Sequence, residues 1–301
     1  MAPIIGAVPL PILPIEPLVD PSTVASSPRS ALESLARLRA VIPRVGIGIV
    51  CLSGGVDSAL VLAVASAERP GAVRALTATS VTLPAEEEQA CVRLAESAGV
   101  PLLLRPSLEM ENPAFVANEG QRCYHCKSEL YSIAWQAAAE QGADWVLDGV
   151  NMDDLGDHRP GLRAATERGV GHPLVEAGLR KVDVRGVARL LGLSVWDKPA
   201  FACLSSRFPY GTPITERGLH RVESLERALR GWGVRQLRVR AEGDTARIEV
   251  LPTDIPRLAA DPLRSLVVAA AREAGFLFVA LDLEGYRMGS LNAALSAGAR
   301  P

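Results

Sequence analysis

Three groups of residues have types and spacings that can do chemistry. The first is SGGVDS, Ser53 to Ser58, which follows the apolar run VGIGIVCL and opens the helix-like segment SALVLAVASAERPG. Gly54 and Gly55 allow a sharp turn that brings backbone N–H groups close to an anion. The helix N-terminus adds its dipole, and Ser53 and Ser58 add hydroxyl donors. Asp57 repels an anion, so its natural jobs are holding Mg2+ or a loop hydroxyl. The plain alternative is a capping turn between strand and helix. The order S-G-G-x-D-S, with a strand before and a helix after, favours a phosphate site. It is not G-x-x-x-x-G-K-[ST], so a loop built for γ-phosphoryl transfer is not indicated.

The second group is GQRCYHCKSEL, residues 120–130, with Cys123 and Cys126 in a C-x-x-C and His125 between them. Such a pair serves as a redox dithiol, half of a zinc site, part of an iron–sulfur site, or nothing. Five cysteines is an odd number at low density, which argues against a disulfide framework and for a reducing cytoplasm. A thioredoxin-like dithiol wants the position right after the first strand, which SGGVDS holds. Zinc needs a fourth ligand, and His125 inside the motif points the wrong way for joint coordination. Cys51, in the first strand, and Cys91, on a helix face, read as core packing. The third group is DGVNMDDLGDHRPG, Asp148 to Gly161, an acidic loop following a strand. Asp153 and Asp154 there suit Mg2+ beside a pyrophosphate, and Arg159 suits a phosphate; the alternative is a solvated acidic run.

The elements that must position these groups alternate. Ser30–Val41 has helical spacing. Strand VRALTAT, helix EEEQACVRLAESAG, strand VPLLLRP, helix SELYSIAWQAAAEQG, strand ADWVLDG and helix VDVRGVARLLG follow in order. Strands alternating with helices predict an α/β fold with a doubly wound parallel sheet, whose ligands collect at the carboxyl ends of the strands. After SSRFPYGTP the rhythm becomes α-β-β-α-β, which predicts a smaller second domain from about residue 205, its two central strands joined by an EGD turn. Arg238 and Arg240, at i and i+2 on a strand, share one face and suit a phosphate clamp or a solvated face. Trp196 reads as core.

Composition sets the remaining bounds. The 301 residues are 48% hydrophobic with a formal net charge of −2. That gives no push toward nucleic acid or an anionic membrane. No apolar run reaches the length of a membrane span. The N-terminal stretch is apolar but laced with prolines and lacks a basic start, so it reads as a disordered arm over 1–29 and not as a signal peptide.

Taken together, SGGVDS, RCYHCKSELY, DGVNMDDLGDHRPG, EAGLRKVDVRGVARLLGL, WDKPAFACLSSRFPYG and LDLEGYRMGSLN resemble the LarE family of the ATP-pyrophosphatase (PP-loop) superfamily. These are ATP-dependent sulfur transferases of nickel-pincer nucleotide biosynthesis, and the resemblance runs from about residue 30 onward. It implies a PP-loop domain over 30–204 and a substrate-binding or oligomerisation domain over 205–301. It implies ATP at Ser53, Gly54, Gly55, Asp57, Ser58 and Asp153, with Mg2+ at Asp57. The implied reaction is adenylation of a carboxylate of a pyridinium mononucleotide, followed by attack of sulfur to give a thiocarboxylate. Cys203 falls where the family's sulfur-bearing cysteine lies. With Cys123 and Cys126 it makes the three thiolates that hold a [4Fe-4S] cluster in some members, the open iron taking an external sulfide. In single-cysteine members the cysteine gives up its own sulfur instead. The resemblance also assigns a catalytic role to Glu226 and substrate phosphate to Ser206, Arg207, Arg238 and Arg240, and it names Arg287 and Ser290 as motif residues. Expected partners are the nucleotide substrate, sulfide or another sulfur donor, and further copies of the chain. A tRNA-thiolating PP-loop enzyme is the nearest rival, opposed by the charge balance and the lack of a basic stripe.

Overall fold

The computed structural model describes residues 27–156, 160–199, 202–287 and 290–291. Most of the proline-rich arm, and His158 and Arg159 of the acidic loop, lie outside the described residues. The first half of the chain runs α1 (Pro28–Val41), β1 (Gly48–Cys51), α2 (Val56–Glu68), β2 (Val73–Thr79), α3 (Ala85–Ser97) and β3 (Leu102–Pro106). It continues through α4 (Pro113–Val116), α5 (Arg122–Gln141), β4 (Trp145–Leu147), α6 (Pro160–Glu167), α7 (Pro173–Glu176) and α8 (Lys181–Leu190). All four strands are parallel, in the order β3-β2-β1-β4. Val50 on β1 stands opposite Ala75 on one side and Leu147 on the other.

Every residue of β1 is buried, as a strand covered on both faces requires. Alternate residues feed separate cores. Val50, Ala75 and Leu147 pack with α1, α2 and α8 through Leu38, Leu60 and Val187. Ile49, Leu76 and Val146 pack on the opposite face with Tyr131, Ala134 and Ala138 of α5 and with Ala164 and Ala165 of α6. Cys51 and Cys91 belong to these cores, and Trp196 packs against the first. Neighbours leave β1 in opposite directions, β2 and β3 to one side and β4 to the other. The crevice of the sheet therefore opens beyond the ends of β1 and β4, where SGGVDS and the acidic loop begin.

The second sheet is built from β5 (Leu237–Glu242), β6 (Thr245–Val250) and β7 (Phe278–Leu281), with β5 and β6 antiparallel and β6 and β7 parallel. Helix α9 (Glu216–Gly231), capped by the Thr215 hydroxyl on Gly218 N, lays Leu219, Val222, Leu225 and Leu229 on it. Between β6 and β7 the chain forms two helices, α10 (Ile255–Ala259) and α11 (Leu263–Glu273). Pro262 lies at the break, where its ring would crowd the preceding turn and it has no N–H to donate. This core also takes in Phe115 of α4, and Cys126 packs against it, so the start of α5 reaches the second sheet. Among the described residues no helix is long and apolar enough to cross a membrane.

Candidate active site

SGGVDS forms the turn from β1 into α2. Gly54 has φ +76, the left-handed region open to glycine at little cost, and Gly55 is the N-cap of α2 without a side-chain cap. The first-turn N–H groups of a 13-residue helix are thus left to an incoming anion. Ser58, buried, braces the loop by accepting from Ser53 N at 3.2 Å and donating to Gly55 O at 3.3 Å. Asp57 faces outward from the loop. Its Oδ1 accepts from Asn151 Nδ2 at 3.1 Å, and its Oδ2 is taken by Lys181 Nζ. Asp153, expected as an ATP residue, accepts Lys181 N at 2.8 Å and Arg180 at 3.3 Å. Both carboxylates are therefore engaged by α8. Mg2+ does not fit them in this arrangement, because Lys181 would have to leave.

The end of β4 closes on this loop. A Cβ on Gly149 would stand 2.6 Å from Ser58 N, so the two backbones touch there and only glycine is accommodated. One residue earlier, buried Asp148 accepts from Tyr131 Oη at 2.6 Å and Val150 N at 3.0 Å, and pairs with His172 Nδ1 at 2.7 Å. Burial pushes the Asp148 carboxyl up, but His172, Lys127 and Tyr131 outweigh it and hold it below the usual range. Burial pushes His172 down, and Asp148 more than restores it, so the imidazole sits above its ordinary value. Cys51 beside this network is pushed up to about 12, mainly by burial and then by Asp148.

Helix α5 starts at Arg122, six residues before the SELYSIAWQ pattern suggested, so Cys123 and Cys126 both lie in its first two turns. Cys123 is exposed, Cys126 half-buried, and Cys203 half-buried at the N-cap of the 3-10 turn Leu204–Arg207; all are free thiols. The structure brings these two distant segments together. Burial first, then Cys203, Glu109 and Cys123, raise the Cys126 thiol well above its ordinary value. Arg122 lies among them. Its Nη1 donates to Ser205 O at 3.0 Å and to Asn118 Oδ1, and its Nη2 is 3.9 Å from Cys123 Sγ. Burial lowers its guanidinium, but Cys203 and Cys123 reverse that and raise it. Asn118, buried at φ 57, returns its Nδ2 to the carbonyls of Phe208, Pro209 and Thr212. Among the described residues no three ligating side chains stand gathered at metal-binding distance. The donor chemistry nonetheless suits a soft iron–sulfur centre: three free thiols, a guanidinium to offset their charge, and the buried Ser205 hydroxyl, unpartnered among the described residues.

Beyond Cys203 the chain is tied to the second sheet. Arg207 and Glu226 are wholly buried and joined by two bonds, Nε–Oε1 at 2.8 Å and Nη2–Oε2 at 3.0 Å. Arg207 also holds the carbonyls of Ala202 and Cys203, at 3.0 Å for the latter, and the hydroxyl of Ser206. Glu226 caps the free N–H of Val239 on the edge strand at 3.1 Å. These two residues thus fix the Cys203 turn from behind. Arg238 and Arg240 share one strand face as expected, but that face is buried and neither is solvated. Arg240 donates to Ser206 O, Glu249 and Ser290 at 2.7, 2.6 and 2.9 Å, leaving Nε unpartnered among the described residues. Arg238 stacks over Tyr286, and burial followed by Arg207 draws it down to about 10. Arg122, Asn118, Lys181 and Lys198 were not singled out from sequence; each acts through partners distant in the chain.

A parallel sheet with an S-G-G-x-D-S loop at its crevice defines a PP-loop, ATP-using α/β enzyme, and the asparagine synthase family profile matches residues 34–139. The chain is 45% identical to an uncharacterized protein of Synechocystis sp., over 88% of this chain and 99% of that one. It is 36% identical to the pyridinium-3,5-bisthiocarboxylic acid mononucleotide synthase of Lactiplantibacillus plantarum, over 82% of this chain and 89% of the relative. A probable tRNA sulfurtransferase of Methanothermobacter thermautotrophicus is 31% identical over only 48% of this chain and 40% of its own. The chain belongs to the LarE family and is an ATP-dependent sulfurtransferase.

Proposed function

We propose that the protein converts a carboxylate of pyridinium-3,5-biscarboxylate mononucleotide to a thiocarboxylate. A carboxylate oxygen attacks the α-phosphorus of ATP at the SGGVDS loop, and pyrophosphate leaves. A sulfur nucleophile then attacks the acyl carbon; the C–S bond forms, the bond to AMP breaks, and AMP leaves with the electron pair. The loop's uncapped N–H groups and the Ser53 hydroxyl bind the phosphates. Cys203 stands at the sulfur end, its turn held by Arg207 and Glu226. The first sheet serves ATP and the unit beyond about residue 205 serves the substrate nucleotide, whose phosphate goes to the Arg238–Arg240 face; we place the enzyme in the cytoplasm as a homo-oligomer.

The observation that carries the sulfur assignment is the Arg122 bridge between the two segments, its Nη2 3.9 Å from Cys123 Sγ and its Nη1 donating to Ser205 O, two residues past Cys203, at 3.0 Å. The thiolates of Cys123, Cys126 and Cys203 would hold a [4Fe-4S] cluster. When bound, it supplies one iron without a protein ligand, open to sulfide. Arg122 offsets the negative charge of the thiolates and pins the Cys203 turn to α5.

Anaerobically reconstituted protein is expected to be brown and to contain iron, and Cys123→Ala and Cys203→Ala are each expected to lose both iron and sulfur transfer. Colourless protein after reconstitution overturns the cluster. If Cys123→Ala still transfers sulfur, and Cys203 of the wild type is recovered lighter by the mass of hydrogen sulfide, Cys203 is a sacrificial donor instead.

A further inference from the structure

The segment after α8 ends in Trp196-Asp197-Lys198-Pro199, and Lys198 reaches back to the phosphate loop. Its Nζ donates to Gly54 O at 3.0 Å and to Glu87 Oε2 at 2.6 Å. Glu87 sits buried in the first turn of α3 and presses on the same glycine: a Cβ on Gly54 would stand 2.9 Å from its Oε2. The backbone behind Lys198 is held as well. Buried Arg185 of α8 donates to Trp196 O at 2.8 Å and Lys198 O at 2.9 Å. Lys198 is therefore not a surface lysine that happens to find a carboxylate. It is a cation carried on a braced segment to one carbonyl of the loop.

We propose that Lys198 is a positioning residue that sets the phosphate loop for the triphosphate and cancels the charge of Glu87 beside it; this rests on ATP being the ligand of the SGGVDS loop. Two physical effects follow from the contact. In a trans peptide the carbonyl and the next N–H point in opposite directions. Holding Gly54 O on the Lys198 side therefore aims Gly55 N–H the other way. The second effect is electrostatic. Glu87 is a buried carboxylate beside a loop whose task is to receive anions, and Lys198 cancels its charge. Without Lys198, Glu87 is an uncompensated buried charge that repels the incoming phosphates. Gly54 accordingly resists substitution for two reasons, its positive φ and the Glu87 carboxylate in the space a side chain would need.

Calorimetric titration of the full chain with ATP alone, without substrate nucleotide, tests this on wild type, Lys198→Met, Glu87→Gln and the double variant. Lys198→Met is expected to weaken ATP at least about tenfold, and Glu87→Gln to bind within about twofold of wild type. The double variant is expected in between: tighter than Lys198→Met because the repelling charge is gone, but at least about threefold weaker than Glu87→Gln because the tether on Gly54 is lost. A residue needed only for folding would not show recovery on removal of a second charge. Wild-type affinity in Lys198→Met overturns the proposal, and so does a double variant no tighter than Lys198→Met. If Lys198→Met does not fold, Glu87→Gln against the double variant decides, and equal affinities overturn the tether. A wild type that binds no ATP removes the footing on which the proposal stands.

Discussion

The cations paired with the phosphate loop's own Asp57 and with Glu87 pressed against Gly54 are lysines, Lys181 and Lys198, their side chains 32% and 22% exposed. Behind Cys203 and on the second sheet the paired cations are arginines. Arg207 and Glu226 are both wholly buried, and Arg240 is paired with fully buried Glu249. The chemistry of the two cations explains the division. An ammonium is a compact charge on a flexible stem and can change partners when a phosphate arrives. A guanidinium is a rigid fork that matches a carboxylate and keeps its charge when desolvated. On the loop side Lys181 is placed to exchange its partner while Lys198 stays on Gly54, whereas the second sheet is arranged to keep its pairs.

Breaking the buried side is therefore expected to have the largest effect. Glu226→Ala takes from wholly buried Arg207 the carboxylate that meets two of its nitrogens, with the Arg238 charge nearby, and is expected to cost about 3–5 kcal/mol in chemical denaturation. Arg207→Lys is expected to fail similarly, since one ammonium cannot serve Glu226 and the Ala202 and Cys203 carbonyls together. The pair also has a pH signature. Burial raises the Glu226 carboxyl, but Arg207 and the Val239 N–H bring it below its usual value of 4.5. The folded form thus stays ionised where the unfolded chain binds a proton. Its contribution to stability is full above about 4.5 and is lost as pH falls through the depressed folded value. Glu226→Gln should flatten that acid limb; an unchanged limb means the pair contributes nothing there.

The loop side was legible in the sequence because its signal is local. VGIGIVCL is a buried parallel strand, Gly54 and Gly55 are contiguous, and the helix begins at once. The acidic loop was read as a candidate ligand loop; its close approach to the phosphate loop was not legible, since the Gly149 contact with Ser58 depends on how β4 lies beside β1. On the second sheet the i, i+2 spacing placed Arg238 and Arg240 on one face. Nothing local said that Glu249, opposite Arg238 across the ladder, would be buried with them. Arg122 is the clearest omission. It adjoins Cys123, yet its role comes from Asn118 and from Ser205, 83 residues away.

A second, smaller pH effect of opposite sign separates the β4 end from the arginine side. His172 is held above 6.5 by Asp148 and Glu176, against burial and the Lys127 charge. Its protonated form is favoured by folding, so this stability is present below about 6.5 and is lost as pH rises through the folded value. Wild-type melting temperature should therefore decline above neutrality relative to His172→Gln, while the Glu226 effect is confined to acid. Parallel profiles for the two proteins from about pH 6 to 9 would show that the His172–Asp148 contact carries no linked proton.

The smallest effect should come from Lys181→Arg, and it sharpens the comparison most directly because it exchanges one kind of cation for the other. Lys181 is partly exposed, and its ammonium meets a single carboxylate oxygen of Asp57, the other being held by Asn151. Arginine keeps the charge and the attraction, and the solvent beside it accommodates the larger head. Stability is expected to change by no more than about 0.5 kcal/mol, as for other partly solvated substitutions. The rate of ATP association is the more sensitive reading. A fork that grips Asp57 through two nitrogens releases it less readily than an ammonium, so the variant should bind ATP more slowly in stopped-flow mixing while remaining as stable as wild type. If association is unchanged, the Lys181–Asp57 pair does not open on binding, and the contrast between an exchanging lysine and fixed arginines falls.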